Sequence, residues 1–194
     1  MTHYDEQYDQ EPALFGAPYP ELRAFLDEFG PTGGTALDLG CGQGRDALLL
    51  AEYGYDVIGV DASRVGIAQM EARAAARGLA VTGVVADMHA YDFPGDFDAI
   101  VMDSILHFEK QDQARELALL DRARRHLRPL GLLFLFVHRT KRQEAILQGW
   151  LAELPAPYQV IEQRYIDYVY EEQTSGFRSQ FQYCMAVVQR LERE

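Results

Sequence analysis

A chain of 194 residues, 48% of them apolar and 25% charged, has the size and content of one globular domain and is too short for two ordinary enzyme domains joined by a linker. Lysine and arginine total 18 against 30 acids, a formal charge of -12, and a body of that sign repels polyphosphate, so no nucleic acid partner is expected. With two cysteines, no basic and then apolar leader, and no apolar run longer than Leu130 to Val137, the expected location is cytoplasmic with no membrane partner.

The acid excess is concentrated at the start. The first thirty residues hold Asp5, Glu6, Asp9, Glu11, Glu21, Asp27 and Glu28 against Arg23 alone, the pattern of a solvated face. Thr2 to Glu11 is polar and carries tyrosines, Pro12, Pro18 and Pro20 interrupt the chain, and Glu21 to Phe29 has helical spacing with Pro20 suited to the first helical position. From Thr35 on, short unbroken apolar runs alternate with longer amphipathic stretches, which is the signature of βαβ units. Strands are expected at Thr35 to Leu39, Asp56 to Val60, Ala80 to Val85, Phe97 to Met102 and Leu132 to Val137. Helices are expected at Gln43 to Tyr53, Ser63 to Arg77, Gln111 to Leu127 and Lys141 to Leu154, with Ser63 as an N-cap and Gly78 as a C′ residue. Arg122, Arg124, Arg125 and Arg128 oppose the negative end of the third helix's dipole. After Pro155 and Pro157, Tyr158 to Tyr170 and Phe177 to Leu191 are both strand-like and are separated by the polar Glu171 to Gly176, so they should pair antiparallel. The expected architecture is α/β, Rossmann-like and doubly wound: a mostly parallel seven-stranded sheet with an antiparallel last strand.

The most informative stretch joins the first strand to the next helix, Ala36-Leu37-Asp38-Leu39-Gly40-Cys41-Gly42-Gln43-Gly44-Arg45-Asp46. Glycine at three alternate positions lets backbone approach a ligand with no Cβ between. A dinucleotide fingerprint needs G-x-G-x-x-G, and Arg45 stands where its third glycine belongs.

Asp38, Gly40, Gly42 and Gly44 instead resemble, without a gap, the first motif of class I S-adenosylmethionine-dependent methyltransferases, D/E-x-G-x-G-x-G. That resemblance implies S-adenosyl-L-methionine as cofactor, a loop including Cys41 beneath its methionine and ribose portions, and Asp38 holding its cationic amino acid moiety. Asp61, followed by Ala62, ends the second strand where an acid can accept from both ribose hydroxyls, although dinucleotide enzymes place an acid similarly. The resemblance further implies that Asp87 contacts the adenine amino group with Met88 packed near the ring. It also implies that the segment Asp103 to Phe108 faces the reactive methyl. Leu127-Arg128-Pro129-Leu130-Gly131 resembles the family's turn before the fifth strand, with Leu130 in place of a glycine. The run Leu37 to Asp61 is also similar to the compact tellurite-resistance type of methyltransferase.

The resemblance covers Thr35 to His138, and no metal is expected. His107 is the candidate general base because imidazole titrates near neutrality, its alternative being a structural histidine. His3 to Asp9, within an N-terminal segment spanning residues 1–30, reads either as a lid closing over the cofactor or as a frayed terminus. Arg139, Lys141 and Arg142 read either as an attraction for an anionic substrate or as a solvated helix start. With no appended recognition region, the acceptor is expected to be a small molecule. The rival readings are a nicotinamide-dependent oxidoreductase and a non-catalytic cofactor-binding module.

Overall fold

The structure is a computed structural model and describes residues 3–11, 13–29, 33–171 and 176–192. Its elements run α1 (His3–Gln10), α2 (Pro20–Phe29), β1 (Gly34–Leu39), α3 (Arg45–Glu52), β2 (Tyr55–Asp61), α4 (Arg64–Arg77), β3 (Val81–Val85), β4 (Phe97–Asp103), α5 (Gln113–Arg125), β5 (Leu127–His138), α6 (Lys141–Ala152), β6 (Tyr158–Glu171) and β7 (Arg178–Arg190). The sheet has seven strands in the order β3-β2-β1-β4-β5-β7-β6, with β7 antiparallel to β5. This is the α/β, Rossmann-like, mostly parallel architecture expected from the alternating pattern. Thr2, Pro12 and residues 172–175 of the expected hairpin turn lie outside the described residues.

The chain forms two compact units, Met1–Tyr91 with Tyr168–Gln180, and Asp92–Asp167 with Phe181–Glu194. In the first, β1, β2 and β3 lie parallel, with Leu39 opposite Val60 and Asp61 opposite Val85, so their carboxyl ends align along one edge. Ala36, Leu37, Leu39, Val57 and Val60 are fully buried, as expected of strands covered on both faces. Helix α2 buries Leu22, Phe25 and Leu26, the i, i+3, i+4 stripe of an amphipathic helix. Helix α4 has the caps its sequence announces: Ser63 Oγ accepts from Gly66 N at 3.0 Å, and Gly78 is left-handed at φ 65°.

In the second unit β4 runs parallel to β5, whose Leu132 to Val137 are buried. The strand begins at Leu127, earlier than the expected Leu132, because the Leu127 to Gly131 stretch is absorbed into it as an irregularity. Pairing shifts register between Phe97 and Ala99, and Leu130 takes φ 65° at the kink. Leu130 bears the strain of that left-handed backbone with its side chain exposed. Next to it, a Cβ on Gly131 would meet the Phe97 carbonyl oxygen at 2.9 Å, so this position admits only glycine.

Candidate functional site

In the first unit β1 delivers the glycine loop. Gly40 N and Cys41 N both donate to Val60 O, at 2.8 and 3.1 Å, and Gly44 N closes the turn onto Cys41 O at 2.7 Å. Gly40, Gly42 and Gly44 all have positive φ, at 73°, 51° and 82°, a conformation that side chains disfavour. Gly44 is the left-handed N-cap of α3, so the helix starts at Arg45 and not at Gln43.

Two of these glycines also admit the protein's own packing. A Cβ on Gly42 would stand 2.6 Å from the Tyr8 hydroxyl, and one on Gly44 would stand 2.3 Å from Met70 Cγ. A neighbouring glycine on α4, Gly66, would meet Gly42 O at 2.7 Å. Close approach of α1 and α4 to the loop therefore accounts for the missing side chains at Gly42 and Gly44, where the sequence reading invoked ligand approach alone.

The acids have distinct settings. Asp61 is fixed by backbone donors, Gly42 N to Oδ2 at 2.9 Å and Ser63 N to Oδ1 at 2.7 Å. Burial raises its pKa against the opposing pull of those two bonds, and nearby Asp5 adds to the rise. Asp38 is 2% exposed, and its Oδ2 is buried without a hydrogen-bond partner. Its pKa stands well above the usual carboxylate range, chiefly through burial and then through the charge of Asp46, with Arg45 acting in the other direction. Arg45 donates to both Asp46 oxygens at 3.3 and 3.2 Å, reaches Phe15 O at 3.3 Å and lies 4.6 Å over the Tyr19 ring. Substituting for a dinucleotide-motif glycine thus gives the loop a mostly buried cation flanked by two carboxylates. Cys41 is a buried thiol whose pKa burial pushes up, and it serves as a small apolar residue of the loop.

At the end of β3, Asp87 Oδ1 accepts from His89 N at 2.9 Å while its carbonyl accepts from Ala90 N and Tyr91 N, so this acid nucleates a turn. Met88 beside it is half-buried, and Ala62, after Asp61, is exposed. Asp38, Gly40, Cys41, Gly42, Gly44, Asp61, Ala62, Asp87 and Met88 therefore all belong to the aligned carboxyl ends of β1, β2 and β3 in the first unit.

The N-terminal segment is ordered on this edge as α1, with Tyr8 3% exposed. Asp5 Oδ1 accepts from Ser63 Oγ at 2.5 Å. The Gln43 side chain is 6% exposed and accepts from Leu14 N at 2.9 Å while donating to Glu11 O at 2.8 Å and Gln69 Oε1 at 2.7 Å. Gln69 in turn donates to Tyr8 O at 2.9 Å. Sequence reasoning missed Gln43 and Gln69 because a glutamine between glycines gives no local sign of a partner thirty residues away.

Asp103 and His107 belong to the second unit. Asp103 ends β4 at 8% exposure and accepts from Ser104 Oγ at 2.8 Å. The following loop is strained, with Ser104 at φ 59° and Phe108 at φ 50°. Buried Glu116 holds it, accepting from His107 N at 3.3 Å and Phe108 N at 2.5 Å, and Arg142 Nε donates to Phe108 O at 3.0 Å. The His107 side chain is exposed. Of the basic cluster, Arg142 also donates to Gln113 at 2.8 Å, and Arg139 pairs with Glu144 at 3.1 Å and lies 3.8 Å over Tyr165. Both guanidinium groups thus serve internal partners, and Lys141 is left exposed at the first turn of α6.

A glycine-rich loop thus follows β1 of a parallel sheet, with acids at or just beyond the carboxyl ends of β1, β2 and β3. Residues 36–131 match the methyltransferase-domain family. The cypemycin N-terminal methyltransferase of a Streptomyces species is 37% identical over 131 residues, which cover 67% of this chain and 52% of that protein. The 2-heptyl-1-hydroxyquinolin-4(1H)-one methyltransferase of Mycobacteroides abscessus is 37% identical over 98 residues, covering 50% of this chain and 43% of that one. The chain spans about half the length of these curated relatives. TehB from Haemophilus influenzae shares the fold, with a TM-score of 0.74 at 18% identity over 97% of this chain and 66% of the other. In sequence and fold the chain is thus similar to the class I S-adenosylmethionine-dependent methyltransferases.

Proposed function

We propose that residues 1–194 act as one cytoplasmic methyltransferase domain that uses S-adenosyl-L-methionine to methylate a small molecule, releasing S-adenosyl-L-homocysteine, with residues 1–30 as its lid segment. The observation that carries this reading is the buried Asp38 Oδ2 with no hydrogen-bond partner, in a pocket of charge where Asp38 and Asp46 outnumber Arg45. An incoming ammonium satisfies that oxygen and balances that charge, whereas the pyrophosphate of a nicotinamide dinucleotide brings two more negative charges toward the same carboxylates. The residues present fit the cofactor and disfavour the oxidoreductase reading.

In this assignment Asp38 holds the amino acid moiety, and the backbone of Gly40, Cys41, Gly42 and Gly44 lies along it. Asp61 keeps acceptor capacity on both oxygens beyond its two backbone bonds, because each carboxylate oxygen accepts twice, and that capacity suits two ribose hydroxyls. Ala62, Asp87 and Met88 border the base, and Asp103 ends the strand that leads to the reacting segment.

When bound, the cofactor supplies a methyl group already activated on a sulfonium, so no acid is needed for departure of the neutral thioether. The chain's task is to align the acceptor and exclude water, and positioning of this kind lowers barriers by about 7 to 11 kcal/mol. His107, exposed on a loop fixed by Glu116, takes the proton when the acceptor nucleophile carries one.

Titration calorimetry with S-adenosylhomocysteine and with NAD tests the proposal. Binding of the former alone is expected, and Asp61→Ala should weaken it by roughly one to two powers of ten through loss of a charged acceptor. Binding of NAD instead, or unchanged affinity in a folded Asp61→Ala protein, overturns it. Tight binding of S-adenosylhomocysteine with no transfer to any acceptor in a broad panel identifies a non-catalytic module.

A further inference from the structure

The two boundaries of the sheet are built differently. In the order β3-β2-β1-β4-β5-β7-β6 the outermost strands are β3 and β6. An outermost strand offers unpaired N–H and C=O groups along one flank, and proteins blunt it with short length, lysine, proline or a covering group. β3 follows that rule: it has five residues, and the Glu71 carboxylate accepts from Gly83 N at 3.0 Å. β6 has fourteen residues, Tyr158–Glu171, with no lysine, proline or glycine among them.

The part of β6 that belongs to the second unit, Tyr158 to Asp167, is exposed on both faces. Side chains alternate along a strand, so two exposed neighbours face opposite ways, and Val160 and Ile161 are both 37% exposed. Gln163, Arg164 and Tyr165 continue the exposure, with Tyr165 at 50%, while Ile166 turns inward. Tyr165 is fixed where it stands, because its hydroxyl donates to Glu144 and the Arg139 guanidinium lies over its ring. A ring held in that way loses little freedom on meeting a partner.

The sequence of this stretch is complementary to itself. Two copies paired antiparallel about a two-fold axis bring residue i of one opposite residue j of the other at a constant sum, and pairing on the same face requires that sum to be even. With the axis at Gln163, Glu162 of each copy lies opposite Arg164 of the other, Ile161 opposite Tyr165, and Val160 opposite Ile166. Opposite charges, and an aromatic facing a β-branched residue, are the cross-strand pairs that stabilise a sheet. Moving the axis by one residue sets Glu162 against Glu162 or Arg164 against Arg164, so charge selects one register. Within a single chain Arg164 Nε donates to Glu162 Oε1 at 2.8 Å, so both charges stand on the same face, as this pairing needs.

We propose that β6 is an interaction surface for a second copy of this chain, and that two copies join edge to edge through Tyr158 to Asp167, antiparallel about Gln163, to continue the sheet. The pairing closes at two copies, because each uses the same edge. One strand is a narrow strip beside a standard interface, so the dimer forms in a concentration-dependent way. The inference is independent of the methyltransferase reading.

Sedimentation velocity of the full chain over a range of concentrations tests this, with wild type expected to pass from monomer to dimer as concentration rises. Arg164→Glu and Glu162→Arg each set like charges opposite one another twice, and each alone should weaken the dimer about tenfold or more. Mixed in equal amounts, these two variants should associate again, since every acid then faces a base across the axis. Ile161→Lys should also weaken the dimer, and thermal melts identify any variant that fails to fold. Hydrogen–deuterium exchange on wild type, which needs no variant, should slow in residues 158–167 as concentration rises. A wild type that stays monomeric overturns the proposal and leaves the edge to an extended segment of another protein. A dimer that all three variants leave intact, a mixture that does not associate again, or protection confined to other residues overturns it equally.

Discussion

Gly42→Ala concentrates the geometry of the site into one substitution. Gly42 has φ 51°, and placing an alanine in the left-handed region costs roughly 1–2 kcal/mol. The added Cβ also stands 2.6 Å from the Tyr8 hydroxyl oxygen and 3.3 Å from Tyr8 Cζ. Overpacking of this kind costs about 1–3 kcal/mol, because Tyr8 is buried and has little room to retreat. Together the two effects destabilise the fold by roughly 2–5 kcal/mol, a fall in melting temperature of about 4–20 °C for a chain of this length. The second effect is separable. In a Tyr8→Phe background the nearest atom becomes the ring carbon, so Gly42→Ala should lose about 1–3 kcal/mol of its cost and retain only the backbone part. Urea denaturation of the wild type, both single variants and the double variant measures this coupling from midpoints at constant slope. Equal cost of Gly42→Ala in the two backgrounds refutes the placement of α1 on the glycine loop.

Asp38→Asn should separate stability from binding. Burial raises the Asp38 pKa, so the folded chain holds a proton more tightly than the unfolded one, and this group's contribution to stability is present at acid pH and is lost as pH rises above the ordinary aspartate range. The asparagine variant should therefore melt higher than wild type by about 2–4 °C or more near neutral pH, with the difference shrinking as the solution is acidified, while binding S-adenosylhomocysteine more weakly. A variant that melts lower at neutral pH contradicts the buried-carboxylate argument. For His107→Ala, turnover should fall with little change in affinity for S-adenosylhomocysteine, measured by initial rates and calorimetry once an acceptor is in hand, and turnover unchanged at every pH removes His107 from the reaction.

Much of this was legible locally. Ser63 and Gly78 announce the ends of α4 because capping is a short-range affair, and Leu37 to Val60 announces two buried parallel strands joined by a helix because nothing else has that period. Boundaries that depend on a partner were less so. β5 starts at Leu127 because it pairs back to Phe97, and α3 starts at Arg45 because Gly44 is left-handed. Helix α1 is short and its apolar content is Tyr4 and Tyr8, so its order comes from Gln43, Gln69 and Ser63, which no pattern within residues 1–30 reveals. The same reason hid the roles of Arg139 and Arg142, which look like a solvated basic cluster in sequence and are engaged by Glu144 and by the Phe108 carbonyl in the fold.

Hydrogen–deuterium exchange followed by mass spectrometry, with and without S-adenosylhomocysteine, asks directly where an adenosyl group rests. Slowed exchange is expected in the peptides that carry residues 38–44, 61–63 and 86–88, with no comparable change on adding NAD. Protection confined to other parts of the chain, or an equal response to NAD, would show that the loop after β1 is not the place where this protein holds its cofactor.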